Sequence, residues 1–216
     1  VIQLDTSNQA SIRTFAREYQ RRYDRLDALI NNAGTVRPER ETSVDGVELT
    51  FATNVVGYYL MTQELLGTLQ ASAPARVVNV ASSYASDLDL DDLQFDRRPY
   101  DGLAAYAQSK ACDRMLTWAF ARRLARSRVT VNAMAPGLMT KTDLYRDLSA
   151  HIRHQLAQQP SRSIAVGADT AVWLASASEL DGVTGRFYEL RAEQPCEFQD
   201  ASAEAKLWAV CEALVS

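Results

Sequence analysis

Short runs of strand-forming residues alternate along this chain with longer stretches of helical period, and that alternation admits one broad class of fold: α/β layers on a mostly parallel sheet. The candidate strands are residues 1–4 (VIQL), 26–30 (LDALI), 76–81 (RVVNVA), 129–134 (VTVNAM) and 185–190 (GRFYEL). Helical candidates lie between and after them, at 7–23, 44–70, 104–126, 144–158, 167–178 and 201–214. No internal repeat, low-complexity tract or linker divides the 216 residues, so one domain over 1–216 is expected.

Composition narrows the partners. With 47% hydrophobic and 23% charged residues the chain can bury an ordinary core. Its net charge of -4 and scattered arginines provide no basic stripe, so a small molecule rather than nucleic acid is the expected partner. No stretch approaches the ~20 consecutive apolar residues of a membrane span, and the first residues lack the layout of a signal peptide. Cys112, Cys196 and Cys211 have no metal-ligand or CxxC spacing, which suits reduced thiols in a cytoplasmic protein. His151 and His154, three apart, have no cysteine or acidic cluster placed to complete a metal site, and none is expected.

In a doubly wound sheet, ligands bind beyond the carboxyl ends of the strands. Three candidate strands end in polar or glycine residues there: LDALI in Asn31, Asn32, Ala33 and Gly34, RVVNVA in Ser82 and Ser83, and VTVNAM shortly before Pro136 and Gly137. Each also reads plainly as a turn. AYAQSK is more pointed, because Tyr106 and Lys110 are four apart and share a helix face, roughly opposite the apolar stripe of Cys112, Met115, Leu116, Ala119 and Leu124. An ammonium beside a phenol lowers its pKa from about 10, which suits proton transfer to or from an oxygen as a carbonyl is reduced or an alcohol oxidised. A hydroxyl such as that of Ser82 is suited to bond the same oxygen. The plainer reading of the pair is a surface contact worth a few tenths of a kcal/mol.

NNAG (31–34), an asparagine in FATNVVGYYLMTQELL (Asn54), NVAS (79–82), YAQSK (106–110) and NAMAPG (132–137) occur in an order that resembles the short-chain dehydrogenase/reductase superfamily over essentially the whole chain. The resemblance implies a doubly wound Rossmann-type sheet in three layers and an Asn-Ser-Tyr-Lys tetrad of Asn54, Ser82, Tyr106 and Lys110. Tyr106 would be the acid/base, Ser82 would orient the substrate oxygen, Lys110 would lower the tyrosine pKa and hold the nicotinamide ribose, and Asn54 would anchor a relay water. Asn32, Ala33 and Gly34 would line the adenosine side of the cofactor, Asp5 would meet the adenine, and Pro136, Gly137 and Thr142 would flank the nicotinamide. The long gap from Ser82 to Tyr106, with PGLMTKTDLYRD and LWAVCEALV, is similar to the branch holding retinol dehydrogenases, WW-domain oxidoreductases and protochlorophyllide reductases. That similarity implies NADP(H) over NAD(H) and an apolar carbonyl or alcohol. It also implies a homodimer face on the helices at 44–70 and 104–126, with Tyr58, Tyr59, Leu60, Met115, Trp118 and Phe120 as its apolar residues; core packing is the default alternative. The segment 86–102 reads as a solvated acidic loop.

The family's opening strand, TGxxxGxG loop and helix, which face the pyrophosphate, have no counterpart here. By the family's order VIQL is the third strand, so strands 1 and 2 are missing and the chain is expected to be a fragment. Two functions stand beside each other: an oxidoreductase, which the tetrad favours, and a non-catalytic binding module, which the missing loop favours. The 216 residues alone are expected to bind nicotinamide cofactor weakly or not at all. Titration with NADPH checks this, and micromolar binding with turnover would show the glycine-rich segment to be dispensable.

Overall fold

The computed structural model describes residues 1–195 and 197–216; Cys196 lies outside the described residues. Five strands among them form one sheet in the order β1 (Ala28–Asn31), β2 (Ala75–Val80), β3 (Val129–Ala135), β4 (Phe187–Glu189) and β5 (Ala192–Gln194). The first four run parallel, and β5 turns back antiparallel on β4. The β4–β5 turn is Leu190–Arg191, with φ of 51° and 60°. Two positive φ values match the tight hairpin geometry whose twist suits antiparallel strands. Ala192, Glu193 and Gln194 are poor strand formers, which is why β5 is invisible in the sequence.

Residues 1–4 are not a strand. A strand needs a neighbour's backbone, and among the described residues β1 pairs with β2 alone; its other edge is open and leaves Ile30 41% exposed. Leu4 instead packs against the core.

The helices are α1 (Gln9–Arg22), α2 (Leu49–Phe51), α3 (Gly57–Ala71), α4 (Gly102–Arg123), α5 (Ala150–Ala157), α6 (Ile164–Ser176) and α7 (Ala201–Val215). A π-helical turn, Ala52–Val56, joins α2 to α3. Period-2 alternation along β2 divides the core: Val77 belongs to the cluster with α3, α4 and α7, and Val78 to the cluster under α6. The sheet is thus sandwiched between α6 and the α3/α4 layer.

Helix α4 has no simple inner stripe. Gln108, Ser109, Lys110, Asp113, Arg114 and Thr117 are buried together with its apolar residues. Part of its cover is α7, whose Trp208 meets Tyr59 and Phe120 edge-on at centroid distances of 4.9 and 4.8 Å. Tyr58, Tyr59, Leu60, Met115, Trp118 and Phe120 are each 3% exposed or less. They pack in the core of the chain, as the core-packing alternative has it, with Tyr59 and Phe120 against Trp208 of α7. Cys112 and Cys211 are free, buried thiols in the same core. Among the described residues no helix is long and apolar enough to cross a membrane.

The segment 86–102 is more than a solvated loop. Asp92, 5% exposed, accepts hydrogen bonds from the backbone N–H of Asp96 (2.7 Å), Arg97 (3.2 Å) and Arg98 (3.2 Å). Gln108 of α4 accepts from Asp89 N at 2.9 Å and donates to Leu93 O at 3.1 Å, which staples the loop to the helix. Burial alone would raise the Asp92 pKa, but the three backbone donors and Arg98 outweigh it and hold the carboxyl below its usual range. Stability from a depressed carboxyl is fully present above its unfolded pKa and is lost as pH falls through the folded one. Asp92→Ala is therefore expected to cost about 2 kcal/mol in urea unfolding at neutral pH. The difference from wild type should shrink as pH falls below the ordinary aspartate range.

Candidate active site

A buried polar ladder aligns the strand ends. Asn31 Nδ2 donates to Asn79 Oδ1 (2.9 Å) and Thr62 Oγ1 (3.2 Å), and Asn79 Nδ2 donates to Thr117 Oγ1 (2.9 Å). The first asparagine of NNAG and the asparagine of NVAS thus lock β1 and β2 to α3 and α4. Beyond β1, Asn32, Ala33 and Gly34 form an exposed shelf.

Asn54 sits on the π-helical turn, completely buried. Such turns lie frequently at functional sites. Its Oδ1 accepts from Thr35 N at 2.9 Å, and its Nδ2 donates to Thr35 O at 3.0 Å and Ser109 Oγ at 2.9 Å. Ser109 Oγ in turn donates to Tyr106 O at 2.7 Å. The Asn54 side chain therefore clamps the shelf to the α4 turn bearing Tyr106. Gly34 faces the same groups: a Cβ there would stand in ordinary contact, 3.6 Å from Asn54 Oδ1 and 3.9 Å from Lys110 Nζ.

Lys110 Nζ donates to Val80 O at 3.0 Å and to Asp113 Oδ2 at 2.8 Å. It lies 5.3 Å from the Tyr58 ring centroid and 5.8 Å from that of Tyr106. Lys110 is 3% exposed and Asp113 is 0% exposed, so this is a buried ion pair. Burial alone lowers the Lys110 pKa, but Asp113 and Tyr58 more than reverse that. Burial raises the Asp113 pKa despite Lys110. Tyr106 departs from the sequence expectation: its pKa is pushed up to about 12, first by burial and then by Asp113, with a Ser82 hydrogen bond opposing. The Lys110 ammonium, for its part, is held on Asp113 and the Val80 carbonyl.

Ser82, Tyr106, Pro136, Gly137 and Thr142 line one cavity of about 630 Å³. Its walls are largely apolar, including Val36, Leu103, Met139, Leu144, Ile152 and Leu156. Ser82 stands beside the Tyr106 phenol, whereas Ser83 Oγ is turned away to Glu189 Oε2 at 2.6 Å. Arg114 donates to Ser82 O and fixes the backbone of that turn. Asn54, Lys110 and the Asn32–Gly34 shelf are not among the residues that line this cavity. Asp5 is not drawn in; its Oδ1 accepts from Ser7 N (2.9 Å) and Ser7 Oγ (2.7 Å) in the turn before α1.

Three contributors are missed by motif reading. Asp113 and Tyr58 surround Lys110, and Arg162 pairs with Glu189 at 2.7 Å across the cavity wall. The Arg162 guanidinium packs on Gly137, which holds φ at +75°; a Cβ there would stand 2.3 Å from Arg162 Nη1. The sequence separation of Arg162, Gly137 and Glu189 left no local signal, but Asp113 stands three residues after Lys110, where helical spacing places it in reach.

The model of the short chain dehydrogenase family matches residues 1–153. Retinol dehydrogenase 13 of Homo sapiens is 37% identical over 227 residues, covering 98% of this chain and 67% of that protein. This chain spans about two thirds of the length of the curated relatives it matches. Among solved structures, an uncharacterised protein from Mycobacterium paratuberculosis aligns with a TM-score of 0.75 at 30% identity, over 98% of this chain and 74% of that one. A short chain dehydrogenase from Burkholderia cenocepacia, solved in complex with NADP, aligns with a TM-score of 0.64 at 26% identity, over 87% and 73%.

The Asn54 clamp has a direct readout. Asn54→Ala leaves Thr35 N–H, Thr35 O and Ser109 Oγ without that partner, which is expected to cost about 1–3 kcal/mol. Hydrogen exchange at the Thr35 amide should accelerate well beyond amides in β3. Unchanged Thr35 protection would remove the clamp from the account.

Proposed function

Because this chain belongs to the short-chain dehydrogenase family, we propose that it works as an oxidoreductase passing a hydride between NAD(P)(H) and a carbonyl or alcohol, with Tyr106 as acid/base. The observation that carries this reading is the convergence of Tyr106 and Ser82 on one cavity of about 630 Å³ beside the Pro136–Gly137 turn.

The family fold implies a nicotinamide cofactor, and the residues present fit its nicotinamide and ribose half. Pro136, Gly137 and Thr142 stand on the cavity wall with Tyr106 and Ser82, and Gly34 brings no side chain to the shelf near Lys110. Lys110 and Asn32–Gly34 are the groups assigned to hold it. When bound, it supplies or accepts the hydride. Ser82 orients the substrate oxygen, Tyr106 gives that oxygen a proton or removes one, and Asn54 keeps the Tyr106 turn and the shelf in fixed relation. The cavity walls exclude water and favour an apolar substrate. Retinol dehydrogenase 13 as a relative agrees with such a substrate, and the NADP-bound neighbour supports a preference for NADP(H).

The test uses the natural protein that contains these residues, with NADPH or NADH and a series of aldehydes and alcohols from short hydrophilic to long apolar. NADPH-dependent turnover rising with apolar chain length is expected. Tyr106→Phe should cut kcat about 10²–10⁴-fold while cofactor binding persists. Saturable NADPH binding without turnover by the wild type would instead favour a binding module.

A further inference from the structure

The largely apolar wall of the cavity carries two charges. Among the described residues that line it, Arg162 and Glu189 alone are ionic. One comes from the segment after β3 and the other is the last residue of β4, and they meet at 2.7 Å, Nη2 to Oε1. Both side chains are mostly out of water, at 29% and 24% exposure. Further bonds fix the pair. Glu189 Oε2 accepts from Ser83 Oγ at 2.6 Å, and the Arg162 backbone N–H donates to Leu138 O at 2.8 Å. The guanidinium lies over Gly137, where a Cβ would stand 2.3 Å from Nη1.

A charge in a largely desolvated apolar wall is unfavourable unless an opposite charge meets it. Arg162 has its counter-ion in Glu189, so the wall carries both signs in one place and no net charge. A ligand carboxylate brought there is attracted by Arg162, repelled by Glu189 and stripped of its hydration without compensation. An uncharged alcohol or aldehyde suffers no such loss. The pair also stands near the chemistry, because Ser83, which holds Glu189, directly follows Ser82.

We propose that Glu189 is a specificity-determining residue of this cavity: by pairing with Arg162 it closes a position that would otherwise bind a carboxylate, so the site takes uncharged apolar alcohols and aldehydes and excludes carboxylates of the same chain length. The inference rests on the oxidoreductase reading and names its substrate class more closely. Selectivity of this kind comes from a repulsive element built against the wrong ligand. Two other arginines stand close by: Arg146 and Arg153 line a smaller pocket of about 220 Å³ that shares Thr142, Tyr145 and Leu156 with the cavity. Arg146 Nε lies 3.5 Å from Asp147 Oδ2, and Arg153 Nη1 donates to Arg146 O at 3.0 Å.

The experiment measures binding of decanol, decanoate and decylammonium at neutral pH to the natural protein that contains these residues, by competition against a fluorescent apolar probe. The wild type is expected to bind decanol, and decanoate at least about tenfold more weakly. Glu189→Gln keeps an acceptor for Ser83 but removes the charge, and should shift the decanoate-to-decanol affinity ratio about 10–100-fold toward decanoate. Glu189→Gln/Arg162→Met should lose that gain; a gain that persists would put the carboxylate on Arg146 or Arg153 and overturn the inference. Circular dichroism establishes that each variant is folded. If Glu189→Gln does not fold, Arg162→Met decides: it leaves Glu189 as the lone charge on the wall, and decylammonium should gain about 10–100-fold relative to decanol. An unchanged ratio in either folded single variant would overturn the inference, as would a wild type that binds decanoate as tightly as decanol or binds neither. These measurements need no turnover, so failure of the oxidoreductase reading would appear separately, as a wild type that binds decanol but turns over no alcohol or aldehyde with NADPH or NADH.

Discussion

Burial of α4 on nearly every side is the constraint on which the rest of this structure depends. A helix removed from water must bond every polar side chain it carries, and α4 carries many. Those bonds reach β2, the turn beyond it and the π-helical turn. Thr117 takes the Asn79 amide of β2, Lys110 takes the Val80 carbonyl, Arg114 takes the Ser82 carbonyl, and Ser109 takes Asn54 on the π-helical turn. Satisfying the helix therefore sets the height of Tyr106 against the end of β2 and the shelf beyond β1. Fold stability and site geometry are carried by the same hydrogen bonds.

That sharing changes what the Lys110–Asp113 pair means. Desolvating two charges costs about as much as their attraction returns, so a buried pair is weak evidence of stabilisation. Its effect lies in placement: Lys110 is held within reach of the Gly34 shelf and of Tyr106 while its charge is spent on Asp113. Burial is also what pushes the Tyr106 and Asp113 pKa values up.

The parallel strands and their ends were legible in the sequence because each is a compact apolar run closed by polar or glycine residues, and the structure reproduces four of them within two residues. Ser82, Tyr106, Pro136, Gly137 and Thr142 were legible because motif residues at strand ends converge wherever parallel strands do. Residues 1–4 misled because strand propensity says nothing about whether a partner stands alongside. The aromatic residues of α3 and α4 left two readings open, and α7, distant in sequence, covers Tyr59 and Phe120. Spacing placed Lys110 near Tyr106, but not the company the ammonium keeps, although Asp113 lies within the same helical turn.

The cavity is built from two parts that meet at Glu189, which bonds both Ser83 and Arg162. Its Tyr106 and Ser82 side stands on α4 and the turn after β2. Much of its apolar wall comes from the segment after Gly137, which is tied back to the sheet by Arg162: its backbone N–H bonds Leu138 O at 2.8 Å, and its guanidinium pairs with Glu189 next to β5. Side chains such as Met139, Leu144, Ile152 and Leu156 can therefore change without disturbing Asn54, Ser109 or Lys110. A cavity divided in this way lets its apolar wall vary over a fixed Tyr106 side, because the segment that forms most of that wall is not the helix that carries Tyr106.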